Sequence, residues 1–401
     1  MIRSLLCTSL VVFFANATLP ADEVLKQMPA VFERAGSQTK VMLENIKDDP
    51  QFPRTLSPDG KVKTVQAEDW TSGFFPGTLW LLHEYDPKGA RKERAWDYTR
   101  RLEVIRHFKG NHDGGFMLGC SYGNALRLDP SDESRAVLLD AAAALATRYI
   151  PKLGMIRSWD HEPYQCPVII DNMMNLELLS WAAKNGGDAK LREIAVSHSD
   201  LTLKNHFRDD GSAYHVLDYD PENNRLRMID AKQGGDVRTA WARGQGWALY
   251  GFTMMHRETG RPDYLACAEK VAAFIMNHPD LPKDGVPMWD FGCKPDSKEP
   301  RDASAAAVMA SAFLDLSTLV KNGKPYLDMA TRQLLTLSSP EFLAQAGTNG
   351  GFILTRSTGY LPANIEINVP LNYADYYFLE ALLRYRALKE GKTRIALGAA
   401  K

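Results

Sequence analysis

The feature that most narrows the fold is a helical rhythm that hardly stops. Apolar positions return at i, i+3, i+4 and i+7 through most of the 401 residues, the signature of a helix with one buried face. By that criterion there are about twelve helical segments. They lie near 22–46, 71–85, 90–107, 117–128, 132–150, 171–185, 188–206, 239–259, 262–278, 302–321, 324–338 and 371–389. Pro and Gly mark the joints, as at Asp86-Pro87-Lys88-Gly89, Gly260-Arg261-Pro262 and Asn322-Gly323-Lys324-Pro325. No Pro/Ser-rich linker or charge run divides the chain, which favours one domain over two.

A second pattern returns between the helices. Gly or Asp-Gly opens a short apolar and aromatic stretch at Asp113-Gly114-Gly115-Phe116, Gly154-Met155-Ile156, Asp210-Gly211-Ser212, Asp284-Gly285-Val286 and Asn349-Gly350-Gly351-Phe352. Its spacing is irregular, about 40 to 75 residues, so the repeat is loose. Twelve helices in pairs, with a turn-and-strand element returning at one end, predict an all-α toroid of six hairpins, an (α/α)6 barrel. Short β-strands are expected in the loops at one end, where aromatic residues line the mouth.

Composition excludes some partners. A formal net charge of −1 provides no global field for nucleic acid or an anionic membrane, so an anionic substrate must be met by local Arg, Lys or His. Residues 1–17 read as a secretory signal peptide: Arg3, then the apolar run Leu5 to Phe14, then Ala15-Asn16-Ala17 as the cleavage site. That run is shorter than the roughly 20 apolar residues a bilayer needs. The mature domain, 18–401, is expected in the periplasm or secreted. Cys120, Cys166, Cys267 and Cys293 show no C-x-x-C pair, and a chain of this length needs no disulfide staples, so they read as mostly buried thiols.

Ile169-Ile170-Asp171-Asn172-Met173-Met174-Asn175-Leu176 sets an acid at the head of an almost wholly apolar helix. The ordinary role of such an Asp is N-capping. The apolar surroundings instead suggest a poorly hydrated carboxyl whose pKa is tuned, with a second negative charge needed nearby to raise it against the helix dipole. Asn111-His112-Asp113-Gly114-Gly115-Phe116 supplies a second carboxyl in a Gly-rich turn, which alone would be an Asx turn. Two carboxyls near helix starts are the pairing used for acid–base work on sugars. Trp241-Ala242-Arg243-Gly244-Gln245-Gly246-Trp247 offers indoles for stacking and a charged donor, against the plainer reading that the Trp residues pack in the core and Arg243 bonds carbonyls. Lys232-Gln233 and Tyr214-His215 precede it, and Trp70 and Tyr373 stand at further helix starts. There is no G-x-S-x-G, H-E-x-x-H, P-loop or G-x-G-x-x-G motif, no His cluster for a metal, and no cofactor signature.

Together Trp70-Thr71-Ser72-Gly73-Phe74, His112-Asp113-Gly114-Gly115-Phe116, Ile170-Asp171-Asn172-Met173-Met174-Asn175, Trp241-Ala242-Arg243-Gly244-Gln245 and Tyr373-Ala374-Asp375-Tyr376-Tyr377 resemble the unsaturated glucuronyl hydrolases, glycoside hydrolase family 88. The resemblance runs in order along nearly all of the mature chain. It implies an (α/α)6 barrel that removes the 4,5-unsaturated uronic acid from oligosaccharides made by polysaccharide lyases. It further implies Asp171 as general acid/base, Asp113 as its partner, and Trp70, His112, His215, Gln233, Arg243, Trp247 and Tyr373 as residues lining the sugar site. One departure stands out, for Lys232 occupies a position where the family leads one to expect His. Alternatives are an unsaturated rhamnogalacturonyl hydrolase on the same barrel, a non-catalytic periplasmic glycan-binding barrel and, more distantly, an isomerase or epimerase. The parent polysaccharide and the oligomeric state are left open.

Overall fold

The computed structural model describes residues 23–88, 91–392 and Leu397. The expected signal peptide at 1–17 lies outside the described residues. Twelve α-helices alternate between two rings. The outer ring is α1 (Glu23–Asn45), α3 (Lys92–Arg100), α5 (Asp132–Ala146), α7 (Lys190–Asn205), α9 (Pro262–Asn277) and α11 (Lys324–Leu337). The inner ring is α2 (Phe74–Tyr85), α4 (Asn124–Leu128), α6 (Asn172–Lys184), α8 (Ala242–Thr259), α10 (Ala303–Leu319) and α12 (Asn372–Lys389), with a π-helical turn Gly115–Gly123 leading into α4. Each inner element packs on the next, and α12 closes the ring on α2. This is the expected (α/α)6 barrel.

Burial follows from ring position. α8 is buried continuously from Ala242 to Met255 and α10 from Ala303 to Leu316, as helices walled in on every side must be. The outer helix α9 buries only the stripe Tyr264, Cys267, Ala268, Val271, Ala272 and Ile275. Four inner helices are also tied by a buried ionic network. Arg257 on α8 contacts Glu177 on α6 at 2.5 Å and Asp315 on α10, while Arg384 on α12 reaches Asp315 at 3.4 Å. Such a cluster is weak evidence for stability but costly to break.

Two kinds of connection define the ends. From inner to outer helices the chain turns tightly, at 129–131, 185–189, 260–261 and 320–323. From outer to inner it runs long, at 46–73, 101–114, 147–171, 206–241, 278–302 and 338–371. Every described strand lies in the long connections. β1 (Phe52–Leu56) pairs with β2 (Val62–Val65), β3 (Tyr149–Ile150) with β4 (Met155–Ile156), and β8 (Ser357–Tyr360) with β9 (Ile365–Val369). β5 (Pro167–Ile169), β6 (Val216–Asp220) and β7 (Arg225–Asp230) form an antiparallel sheet, with Val168 opposite Leu217 and Leu217 opposite Ile229. The mouth therefore gathers the N-termini of the inner helices, whose free N–H groups and dipoles favour negative charge.

Two expected helices differ in detail. The segment expected at 90–107 divides into α3 and a 3₁₀ turn Glu103–Ile105, and that at 117–128 is mostly the π-helical turn. Close approach accounts for the latter. A Cβ on Gly115 would stand 2.7 Å from the Asn175 Cα on α6, and one on Gly73 would stand 2.1 Å from the Met117 carbonyl oxygen. The Phe116 N–H donates to Asn175 Oδ1 at 3.0 Å, so a neighbouring helix satisfies part of the turn. All four described cysteines are free thiols, three buried and Cys293 half-buried. No described helix is long and apolar enough to cross a membrane.

Candidate active site

Asp171 stands at the N-cap of α6, yet its side chain makes no capping hydrogen bond. The backbone there is already helical, φ −58° and ψ −27°, so the carboxylate is not aimed back at the first turn as a cap requires. It is instead 7% exposed, with Oδ2 lacking any hydrogen-bond partner. Burial raises its pKa from 3.8 to about 7, against the opposing pull of the Arg243 charge. The expectation that a second negative charge was needed is corrected here: desolvation is the cause.

Asp113 is 9% exposed and follows His112, whose Nε2 lies 3.4 Å from Asp113 Oδ1. Burial holds the Asp113 carboxyl well above the usual carboxylate range, and the Asp171 charge adds to the effect. The like-charge coupling thus acts on Asp113 and is not what protonates Asp171. Asn111 Oδ1 accepts from the Asp113 N–H at 3.0 Å, so the Asx turn is made by Asn111 and the Asp113 carboxyl stays available. His112 is held by its own N–H on the Ser158 carbonyl at 3.1 Å. Burial keeps its imidazole neutral, with a pKa of about 3.

His215 precedes β6 and reaches the same place. Its Nε2 lies 3.5 Å from Asp171 Oδ2, and its ring stacks on Trp241 at 4.4 Å. The Ile170 N–H donates to the His215 carbonyl at 3.1 Å, which locks the two segments together. His215 Nδ1 lies 3.0 Å from the Ala231 carbonyl oxygen. A carbonyl only accepts, so Nδ1 carries the hydrogen and Nε2 presents a lone pair to Asp171. Burial depresses this imidazole to about 3, so it stays neutral.

The other sequence candidates divide into surface and wall. Trp70 is half-buried beside Tyr373, with ring centroids 4.9 Å apart. Gln233 is half-buried in the loop after β7, beside Gly235, whose N–H donates to Asp290 Oδ2 at 2.9 Å. Arg243, by contrast, is committed to the wall. Its guanidinium donates to Asp302 Oδ2 at 3.0 Å and to the Thr358 and Gly359 carbonyls at 2.6 and 2.9 Å. Trp247 is fully buried between Phe116 and Tyr377, at 5.1 and 5.4 Å. It presents no exposed face in this structure, which is what the packing reading of the cassette describes. Gln245 is likewise spent on Ala213 and the Trp241 carbonyl. Tyr373 is fully buried under Arg243, with its hydroxyl unpartnered.

Sequence reading assigned no role to two supporting residues: Asp302 anchors Arg243 and caps α10 through Ser304, and Ala231 sets the His215 tautomer. Trp241, offered by the sequence as a stacking indole, packs on the His215 ring. Among the described residues no group of three or more His, Cys, Asp or Glu is arranged to hold a metal.

No family model matches the chain. Among curated proteins it is 48% identical over 341 residues to an unsaturated glucuronyl hydrolase of Formosa agariphila, covering 84% of this chain and 85% of that protein. It is 30% identical over 363 residues to the unsaturated glucuronyl hydrolase of Bacillus sp. strain GL1, covering 87% and 95%. The fold matches a crystal structure of an unsaturated glucuronyl hydrolase specific for heparin, with TM-score 0.86, 45% identity, and coverage of 92% of this chain and 99% of that one. With two carboxyls, two neutral histidines and an aromatic wall on this barrel, and with these relatives along its length, the chain belongs to the unsaturated glucuronyl hydrolase family, glycoside hydrolase family 88.

Proposed function

We propose that the protein is a glycoside hydrolase that releases 4,5-unsaturated glucuronic acid from the non-reducing end of lyase-generated oligosaccharides, with Asp171 as the proton donor. One observation carries the role of Asp171. An uncapped carboxyl with a pKa of about 7 stands at the mouth end of an inner helix, so it is substantially protonated near neutrality.

The chemistry asks for such a group. The C4=C5 bond beside the ring oxygen is an enol ether. Asp171 gives its proton to C4, and positive charge develops at C5 and the ring oxygen. Water adds at C5 and returns a proton to the Asp171 carboxylate. The hemiketal at C5 opens to a ketone, the ring oxygen stays on C1 as a hemiacetal, and C1 then expels the remaining oligosaccharide as an alcohol. No glycosyl-enzyme intermediate forms, so the separation rule for retaining and inverting enzymes does not apply.

The surroundings support each protonation state. Burial favours the acid before transfer, while the α6 N-terminus and the Arg243 charge favour the carboxylate after it. Neutral His215 turns the Nε2 lone pair toward Asp171 Oδ2 at 3.5 Å and so faces the acid without competing as a cation. Asp113, whose carboxyl burial pushes upward in pKa, is suited to hydrogen-bonding ring hydroxyls, with the half-buried Trp70 and Gln233 beside the opening. The relatives are named for glucuronyl and chondroitin disaccharide hydrolysis, so the rhamnogalacturonyl alternative is not favoured.

The test follows loss of the ultraviolet absorbance of the C4=C5 bond in lyase-made disaccharides. Decay by the wild type and none by Asp171→Asn is expected; near-wild-type decay by that variant overturns the assignment. The leader Arg3 to Ala17 supports export to the periplasm or beyond. N-terminal sequencing of the protein recovered from cells is expected to begin at Thr18.

A further inference from the structure

Beside the acid lies a cation that is held in an unusual way. Lys232 follows β7, and its ammonium sits 4.2 Å from the centre of the Trp159 ring and 5.2 Å from that of Tyr164. Among the described residues no carboxylate lies within ion-pair distance of it. The nearest acid by sequence, Asp230, is already engaged: its carboxylate accepts from the Tyr164 hydroxyl and from the Lys232 backbone N–H, the latter at 2.9 Å. The Lys232 backbone is held at φ +44°, the left-handed region a lysine rarely adopts. Strain of this kind, held by surrounding contacts, is often found where a side chain must be aimed.

The consequence is a charge that is fixed but not neutralised. A carboxylate partner would consume the ammonium, whereas aromatic faces stabilise the cation through their quadrupoles and leave its hydrogens free to donate. Trp159 and Tyr164 are buried, Lys232 is half-buried, and His161, stacked on Trp159 at 5.4 Å, is exposed. The cluster therefore opens outward. It also adjoins the acid, because Ala231, the residue before Lys232, accepts from His215 Nδ1 at 3.0 Å, and His215 Nε2 faces Asp171 at 3.5 Å.

Position then assigns the ligand. The unsaturated ring must bring C4 to the buried Asp171, so the next sugar lies outward, on the side of the half-buried Lys232 and the exposed His161. We infer that Lys232, cradled by Trp159 and Tyr164, is a specificity-determining residue that binds a sulfate group on the sugar next to the unsaturated uronate. This inference rests on the hydrolase reading above. A sulfate offers three oxygens to a compact, three-donor ammonium, and a charge-assisted contact of that kind is among the stronger hydrogen bonds.

The experiment compares two lyase-made disaccharides that share sugars and linkage, one with and one without sulfate on the hexosamine. Wild type, Lys232→Met and Lys232→Arg are assayed by loss of ultraviolet absorbance, with melting curves to show that each variant is folded. In Lys232→Met the ratio of kcat/KM for the sulfated over the unsulfated substrate is expected to fall by about tenfold or more, mainly through KM, and Lys232→Arg is expected to restore part of it. An unchanged ratio overturns the inference. So does an equal loss on both substrates, which would assign the ammonium to the uronate carboxylate or to the fold. Wild-type protein that cleaves no glucuronide would overturn the hydrolase reading instead. The cradle is then judged by calorimetric binding of the two disaccharides to Asp171→Asn and to Asp171→Asn/Lys232→Met: preference for the sulfated ligand, lost in the double variant, supports it, and no preference overturns it.

Discussion

Replacing Asp171 by Asn is expected to make the protein inactive and, at alkaline pH, more stable. A carboxyl whose pKa moves from 3.8 to about 7 on folding disfavours the ionised folded state by about 4 kcal/mol, at 1.36 kcal/mol for each tenfold change. The folded state holds this proton more tightly than the unfolded chain does. Its contribution is therefore fully present below about pH 4 and is lost as pH rises through about 7. Asn cannot ionise, and its neutral amide can face the His215 Nε2 lone pair as the protonated acid does, across the same 3.5 Å. The two proteins should melt together at pH 4 and part as pH rises. At pH 8 the variant should be ahead by up to about 4 kcal/mol, or about 5 °C for a chain of this size. No cap bond is lost in the exchange, since Asp171 makes none. Calorimetric melting of both proteins from pH 4 to 9 measures the difference directly, and every group unaffected by the substitution cancels. A variant that is less stable at pH 8, or a gap that does not change with pH, would refute the idea that burial holds this carboxyl protonated.

Three further outcomes follow from the same site. The kcat/KM on an unsaturated glucuronyl disaccharide should be sustained below about pH 7 and fall roughly tenfold per pH unit above it as Asp171 deprotonates; a rate that climbs through that range would require a base instead. Asp113→Asn should lower kcat by about 100-fold or more, and a change confined to KM in steady-state assays would make Asp113 a binding residue only. Asp302→Ala should cost about 3 kcal/mol or more in chemical denaturation, because it strips the buried Arg243 of its carboxylate; a cost below about 1 kcal/mol would show that the β8 carbonyls suffice.

The legible parts of this molecule were those whose signal is local. Outer helices such as α9 announce themselves because one face is apolar. Asp171 was legible because an acid among Ile170, Met173 and Met174 is chemically out of place. Inner helices carry a weaker message. In α8 every position from Ala242 to Met255 is buried, so periodicity cannot tell the side that meets substrate from the side that meets the neighbouring helix. That is why the sequence offered Trp247 and Arg243 as sugar contacts with packing only as the plainer alternative, and why the burial of Trp247 needed three dimensions. The cause of the raised Asp171 pKa was misread for a similar reason. A second charge can be sought in the sequence, whereas desolvation is the sum of contacts from elements far apart along the chain. The π-helical turn was hidden too, because the demand on Gly115 comes from Asn175 on α6.

Arg243 and Lys232 are compensated in different ways, as a wall residue and as the proposed recognition residue. Arg243 is matched by the Asp302 carboxylate and two backbone carbonyls, so its donors are largely used and its charge acts on Asp171 only as a field. Lys232 is matched by π faces, which accept no hydrogen bond of comparable strength and so leave its donors unspent. Exchanging the two arrangements would be harmful in both directions. A carboxylate beside Lys232 would quench the charge offered to an incoming anion. An Arg243 held only by rings would leave a guanidinium open to pair with Asp171, pulling its pKa down and emptying it of the proton that the reaction consumes. Compensation thus differs with burial: complete for Arg243, 1% exposed in the wall, and partial for the half-buried Lys232.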